Sequence, residues 1–344
     1  MVLRRGFLLL SVFLAGTTAA AGTAGAEVRV EPQRSGVGVR LRGISAVDAR
    51  VAWASGRGGT VLRTRDGGAS WEDVSVAGAE LLDLRDIEAF DADHAVVLSI
   101  GNGGDSRIYR TANGGRNWIL VLRNEDPRAF FDCMAFDGEH GWMLGDPVDG
   151  RFQVFETADA GQSWTPVPDG PHAAEGEAAF AASGTCIARA GDAWLLGGSG
   201  PATLHVRRDA AGWREIASGL GRGRAEAGIF SIASTRGGDA LLVGGDYKAE
   251  RAPGGAAGYA GGERAARPLP APRGYRSGAA CLAASVTCVA VGPSGVDAWD
   301  GAAWRAVSEA GYDSIDLAGG AGWASGDAGR IARVVVDDAG SGSP

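Results

Sequence analysis

The sequence predicts an all-β fold: a single seven-bladed β-propeller of four-stranded antiparallel blades, closed by an N-terminal strand that completes the last blade. Three observations predict it. The phrase TRDGGASW at 64–71 returns as TANGGRNW at 111–118 and TADAGQSW at 157–164, so its tryptophans fall at Trp71, Trp118 and Trp164, spaced 47 and 46. A second phrase, of the form WASG (53–56) or GWMLGD (141–146), occurs seven times. Glycine supplies 57 of 344 residues without a triplet period. That is more than twice the usual share of about 7%, and it reads as turn punctuation among many short strands.

Residues 1–26 carry Arg4 and Arg5, the apolar run GFLLLSVFLAG and small residues ending AGA. This is the pattern of a targeting signal cleaved near Ala26, so an exported chain, periplasmic or secreted, is expected. RRGFL resembles a twin-arginine signal, and the apolar core equally suits general secretion. No cysteine follows the run, which argues against a lipid anchor, and no later stretch is apolar enough for a membrane span of about 20 residues. Removing Arg4 and Arg5 leaves 31 basic against 41 acidic residues, a net charge of −10. Such a balance argues against nucleic acid or an anionic membrane surface as partner.

The expected domain runs from 27 to 336, with a flexible tail at 337–344. Within it, each repeat holds four alternating apolar runs of strand length separated by turn residues. The first is of the type LRDIEAFDADH (84–94) or FFDCMAFDGEH (130–140), and the second is the WASG-like phrase. The third, such as TVLRT, RIYRT or QVFET, leads into the tryptophan phrase and the fourth strand. Four strands per unit and a period in the forties describe a propeller blade. Degenerate tryptophan phrases continue at RRDAAGW (207–213) and WDGAAW (299–304), two periods apart, so a weakly marked repeat lies between them around 229–270. Six tryptophan-strand slots follow seven copies of the second phrase, and the last unit ends at ARVVVDD. EVRVEP at 27–32 is placed to supply the missing outer strand, which removes an open sheet edge.

The phrase matches the Asp-box, or BNR repeat, of sialidase-like propellers. The matching residues are Thr64, Asp66, Gly68 and Trp71; Thr111, Asn113, Gly115 and Trp118; Thr157, Asp159, Gly161 and Trp164. Its residue types suit a tight turn between the third and fourth strands. The Asp or Asn accepts backbone N–H groups two residues on, the glycine supplies positive φ, the threonine satisfies another turn group, and the tryptophan packs between sheets. A cation site in each repeat is the alternative reading. More narrowly, LRDIEAFDADH together with RIYRTANGGRNW resembles the photosystem II stability/assembly factor family and its bacterial relatives, across residues 42–336, with a period also seen in WD40 and YVTN repeats. The resemblance weakens at GGDYKAERAPGGAAGYAGG. It implies a non-enzymatic assembly scaffold that binds a protein or peptide.

With the phrase between strands three and four, function is expected on the opposite face. Candidate binding residues there are Arg42, Arg85, Asp132, Asp146, Asp246, Tyr247, Arg276, Asp313 and Asp327. Acids interleaved with arginines suit a polar peptide, and solvated loop residues are the bland alternative. A glycoside hydrolase is the rival function. Arg42, Arg85 and Arg276 with Tyr247 would serve a sialidase-like site, although fold likeness does not imply that activity. His94 and His140 occupy matching turns, and no phosphate loop, nucleophile elbow or metal-ligand spacing appears, so neither cofactor nor metal is expected. Of the four cysteines, Cys281 and Cys288 flank a short turn, and Cys133 and Cys186 open neighbouring repeats. Either pair can bridge in an exported protein, with buried free thiols as the alternative.

Overall fold

Seven antiparallel sheets form a ring in the computed structural model, which describes residues 26–337 apart from 209–211, 222, 263–264 and 284. Residues 1–25, where the targeting signal is expected, residues 338–344 of the expected tail and part of the RRDAAGW phrase lie outside the described residues. Blade 1 comprises Leu41–Ala46, Ala52–Gly56, Val61–Thr64 and Glu72–Asp73, from the axis outward. Blade 2 (Asp83–Ala89 to Ile119–Arg123), blade 3 (Phe131–Asp137 to Thr165–Pro166) and blade 4 (Ile187–Ala190 to Arg214–Ala217) repeat that order. The weakly marked repeat is blade 5, from Arg224–Ser234 to Arg267–Pro268, with the short strand Ser199–Gly200 added on its inner edge. Blade 6 runs from Gly278–Cys281 to Trp304–Ser308. Among the described residues no helix is long and apolar enough to cross a membrane.

Blade 7 takes three strands from the end of the chain, Ser314–Ala318, Ala321–Ser325 and Arg330–Asp337, and its outer strand from the beginning, Glu27–Arg34. The pairing is antiparallel and continuous from Glu27 opposite Asp337 to Arg34 opposite Arg330. The alternation of EVRVEP now has its cause: Val28 buries with Val334 and Val336, while Glu27 and Arg29 face water.

The core is a series of apolar wedges between neighbouring blades. Trp53 of blade 1 packs with Ile87 and Val97 of blade 2, and Leu41 of blade 1 packs with Trp323 and Ile331 of blade 7. The tryptophans of the turn phrase tie these wedges together. Trp118 meets Trp53 edge-on at 6.2 Å and Trp71 meets Trp323 at 6.5 Å. Two of their indole N–H groups donate to the preceding blade, Trp118 to the Val74 carbonyl and Trp71 to Gln33 Oε1, whereas that of Trp164 is buried without a partner among the described residues. Trp304 donates likewise to the Pro270 carbonyl.

Within the phrase, the division of labour differs from the expectation. The threonine, not the acid, receives the amide of the phrase glycine. Thr64, Thr111 and Thr157 Oγ1 accept from Gly68, Gly115 and Gly161 N–H at 2.8, 3.0 and 3.1 Å. The acid or amide receives the threonine hydroxyl and the backbone N–H four residues on, as Asp66 does from Ser70 at 3.0 Å and Asp159 from Ser163 at 2.9 Å. These bonds hold both carboxylates down at about 2, Asp66 chiefly through the Ser70 hydroxyl and Asp159 against the opposing effect of desolvation. Gly68, Gly115 and Gly161 stand at φ of 84°, 80° and 76°, where a side chain would be strained.

The cysteines form two bridges. Cys133 of blade 3 joins Cys186 at the entry to blade 4, 53 residues on, and Cys281 joins Cys288 across the first hairpin of blade 6, 7 residues on.

Two outcomes are expected. Thr111→Val keeps shape but strands the buried Gly115 N–H, and should lower unfolding free energy by about 1–3 kcal/mol in a urea titration. Replacing Cys133 and Cys186 with serine should cost about 4 kcal/mol, against about 2 for the Cys281/Cys288 pair, because loop-closure entropy grows with the enclosed segment.

Candidate binding site at the ring mouth

Strands that begin on one side of the ring deliver their first side chains to one mouth. Arg40 and Arg42 flank buried Leu41 at the start of blade 1, and Arg85 holds the equivalent place in blade 2. Tyr275 and Ser277 enter blade 6, Asp313 enters blade 7, and Tyr247 and Glu250 follow the second strand of blade 5. These side chains line a hollow of about 310 Å³. It lies opposite the turn phrases, as the strand order requires.

A segment with no repeat character crosses this mouth. Residues 178–184, AAFAASG, run from blade 3 toward blade 4, and their backbone is received by groups from around the ring. Ala179 N–H donates to Asp146 Oδ1 at 2.9 Å, and the Ala181 and Ala182 carbonyls accept from Arg85 and Arg42 at 2.9 and 3.4 Å. Asp132 lies beside the Ala181 N–H, which counters the rise of its carboxyl. Ser183 donates to the Ser277 carbonyl at 2.6 Å, and its own carbonyl accepts from Ser314 at 2.9 Å. Phe180 stacks on Phe230 with centroids 3.6 Å apart, and Tyr275 meets Phe230 edge-on at 4.6 Å. The segment turns at Gly184, φ 79°, where a Cβ would stand 2.3 Å from Asp86 Oδ1. It is therefore a plug in the axis, and the Cys133–Cys186 bridge fastens its far end.

The candidates named from sequence separate accordingly. Arg42, Arg85, Tyr247 and Asp313 meet in the mouth, with Tyr247 45% exposed. Asp132 and Asp146 lie behind the plug, and Asp146 holds it through the Ala179 N–H. Asp132 is 1% exposed, and burial, then the neighbouring Asp146, pushes its carboxyl well above the usual range. Asp246 is occupied by Arg224 and the Lys248 N–H, and Asp327 is exposed at a 3₁₀ turn in blade 7. Arg276 does not belong to the mouth. It is fully buried, bonded through Nε to Asp297 at 3.0 Å, because the inward-facing carboxylate of Asp297 claims both it and Arg273. Arg40, Glu250, Tyr275, Phe180 and Phe230 were missed. For Arg40 the RLR alternation at 40–42 was a usable signal; for Phe180, in an aperiodic run, there was none.

Below the plug the axis is acidic. Asp86, Glu88 and Asp316 face a cavity of about 260 Å³. Burial raises all three, Asp86 to about 8 and Asp316 to about 6, despite N–H bonds to Asp86 from Met134 and to Asp316 from Ala46. On the turn-phrase side, a hollow of about 640 Å³ between blades 3 and 4 is lined by Asp137, Asp159 and Arg189, whose charges are already met by the turn or by one another.

The axial acids set a pH dependence. Their folded forms hold protons that the unfolded chain releases, so their contribution is fullest near pH 4 and drains as pH rises toward 8. The turn carboxylates act in the opposite sense only below about pH 4. Urea midpoints should therefore fall from pH 5 to pH 8, and Asp86→Asn should flatten that slope; an unchanged slope would contradict the assignment.

No family model and no curated relative matches the chain. Among solved structures it is similar to one described as YCF48 bound to D1 peptide, at 14% identity and a TM-score of 0.62, over 90% of this chain and 97% of that one. It is similar also to YCF48 from Cyanidioschyzon merolae, at 18% identity and a TM-score of 0.63, over 90% and 98%. The WD40 β-propeller domain of Doa1 matches at 12% identity and a TM-score of 0.62, over 90% and 97%. At such identities these likenesses establish the propeller fold of nearly the whole described chain.

Proposed function

We propose that this protein is an exported, non-enzymatic propeller that binds an extended peptide segment of a protein partner at the mouth opposite its turn phrases, and so serves as an assembly or stability factor. One observation carries the reading. The mouth is already built to receive peptide backbone, because the plug at 178–184 is held there by side chains of blades 1, 2 and 3 and by the entries to blades 6 and 7. Beside the plug, the open part of the mouth offers the same chemistry, guanidinium donors for carbonyls and aromatic faces for side chains. A similarly folded propeller has been solved with a peptide bound, and the resemblance to assembly factors points the same way.

A glycosidase gains one point from the meeting of Arg40, Arg42 and Arg85 with two tyrosines. The local chemistry opposes it. Burial pushes the Tyr275 phenol far above its ordinary value, so it is a poor nucleophile, and Asp313 is held by both nitrogens of the Arg40 fork at 2.7 Å.

The test is photo-crosslinking in the native cell envelope. A probe at Tyr247 should trap one defined peptide segment, and a probe at exposed Arg116 on the opposite face should not. Turnover of a glycoside panel without any trapped peptide would overturn the proposal. The purified protein should begin at Glu27 by N-terminal sequencing.

A further inference from the structure

Three arginines meet in the mouth, and they are not equivalent. Arg40 is neutralised by Asp313 through two bonds of 2.7 Å. Arg85 is met by Asp83 at 2.9 Å as well as by the Ala181 carbonyl. Arg42 has no carboxylate within ion-pair distance among the described residues. Its one hydrogen bond, to the Ala182 carbonyl, is long at 3.4 Å, and its Nε is buried with no partner. The charged and titratable groups around it are Arg85, Asp313, Arg40 and Tyr275, two of them cations and one an acid already held by Arg40. Burial, followed by Arg85, draws Arg42 down to about 10, so it remains charged at neutral pH.

A partly buried guanidinium with an unmet N–H forfeits hydration that nothing in the chain replaces. In a cleft, such a group marks a site that a ligand can complete. The planar fork of arginine fits the two oxygens of a carboxylate. The walls beside it are Phe180, Phe230, Tyr247 and Tyr275, which favour an apolar or aromatic neighbour to that carboxylate. A volume of about 310 Å³ admits one or two residues and excludes a folded surface.

We infer that Arg42 is the anchor of a carboxylate-binding site, and that the peptide recognised at the mouth presents a carboxylate next to an apolar or aromatic side chain. The inference rests on the peptide-binding reading above and specifies its ligand. The carboxylate has two sources, a chain terminus or an acidic side chain.

Three probes separate them in calorimetry with the full mature chain: acetyl-Gly-Ala-Ala-Phe with a free terminus, the same peptide amidated, and amidated acetyl-Gly-Ala-Asp-Phe. At least one carboxylate peptide should bind about tenfold or more tightly than the neutral amide, with an affinity that falls as salt rises. Whichever binds identifies the source. Arg42→Gln should abolish the preference while Arg116→Gln retains it. Equal binding of all three peptides by the native chain, or binding of none at millimolar concentration, overturns the inference even if Arg42→Gln does not fold, and so does a preference that survives in Arg42→Gln. If crosslinking at Tyr247 still traps a peptide under any of these results, the carboxylate assignment falls and peptide binding stands; if it traps none, both fall.

Discussion

Everything in this molecule depends on the pairing of the two chain ends. A propeller blade buries both faces only when it has a neighbour on each side, so a ring lacking one strand leaves an apolar wedge exposed. Glu27–Arg34 lies against Arg330–Asp337 over its whole length and supplies Gln33, which accepts from the indoles of both Trp71 and Trp323. The closing strand thereby reaches the wedge between blades 7 and 1 as well as its own sheet. Without it, the seam between the first and last blades would keep Leu41 on Trp323 and Ile331 but lose Gln33 and its outer edge.

Given a closed ring, the repeated turn phrase can be conservative and the mouth variable. The phrase spends its polar atoms within its own turn and its tryptophan on the preceding blade, leaving little for a ligand. At the mouth the repeat relaxes. Blade entries contribute arginine, aspartate, serine or tyrosine, and one aperiodic segment fills the axis where seven equivalent strands would otherwise leave a gap. Burial raises the acids beneath that segment, so they keep protons to higher pH than free carboxyls do, a cost the fold carries in exchange for a filled centre.

The architecture was legible because it follows from period and strand alternation, both local properties. Arg42 and Arg85 could be assigned to a face because the position of the turn phrase fixes which strand ends lie opposite it. Arg276 obeys the same rule and still fails. Its partner Asp297 stands 21 residues away on a different strand, and which of two arginines a buried carboxylate turns inward is decided by packing. The plug was illegible for a stronger reason: EAAFAASG has neither period nor turn chemistry, and only the ring around it explains why an alanine-rich stretch is ordered.

That stretch also determines what kind of object the ring is. With Ser183 bonded to both Ser277 and Ser314, and Gly184 set against Asp86, the axis is blocked from side to side. The propeller is topologically a cup and not a washer, so no chain can be threaded through it. A partner can present only an end or a loop, can leave by the way it came, and can be released without being unthreaded or cut.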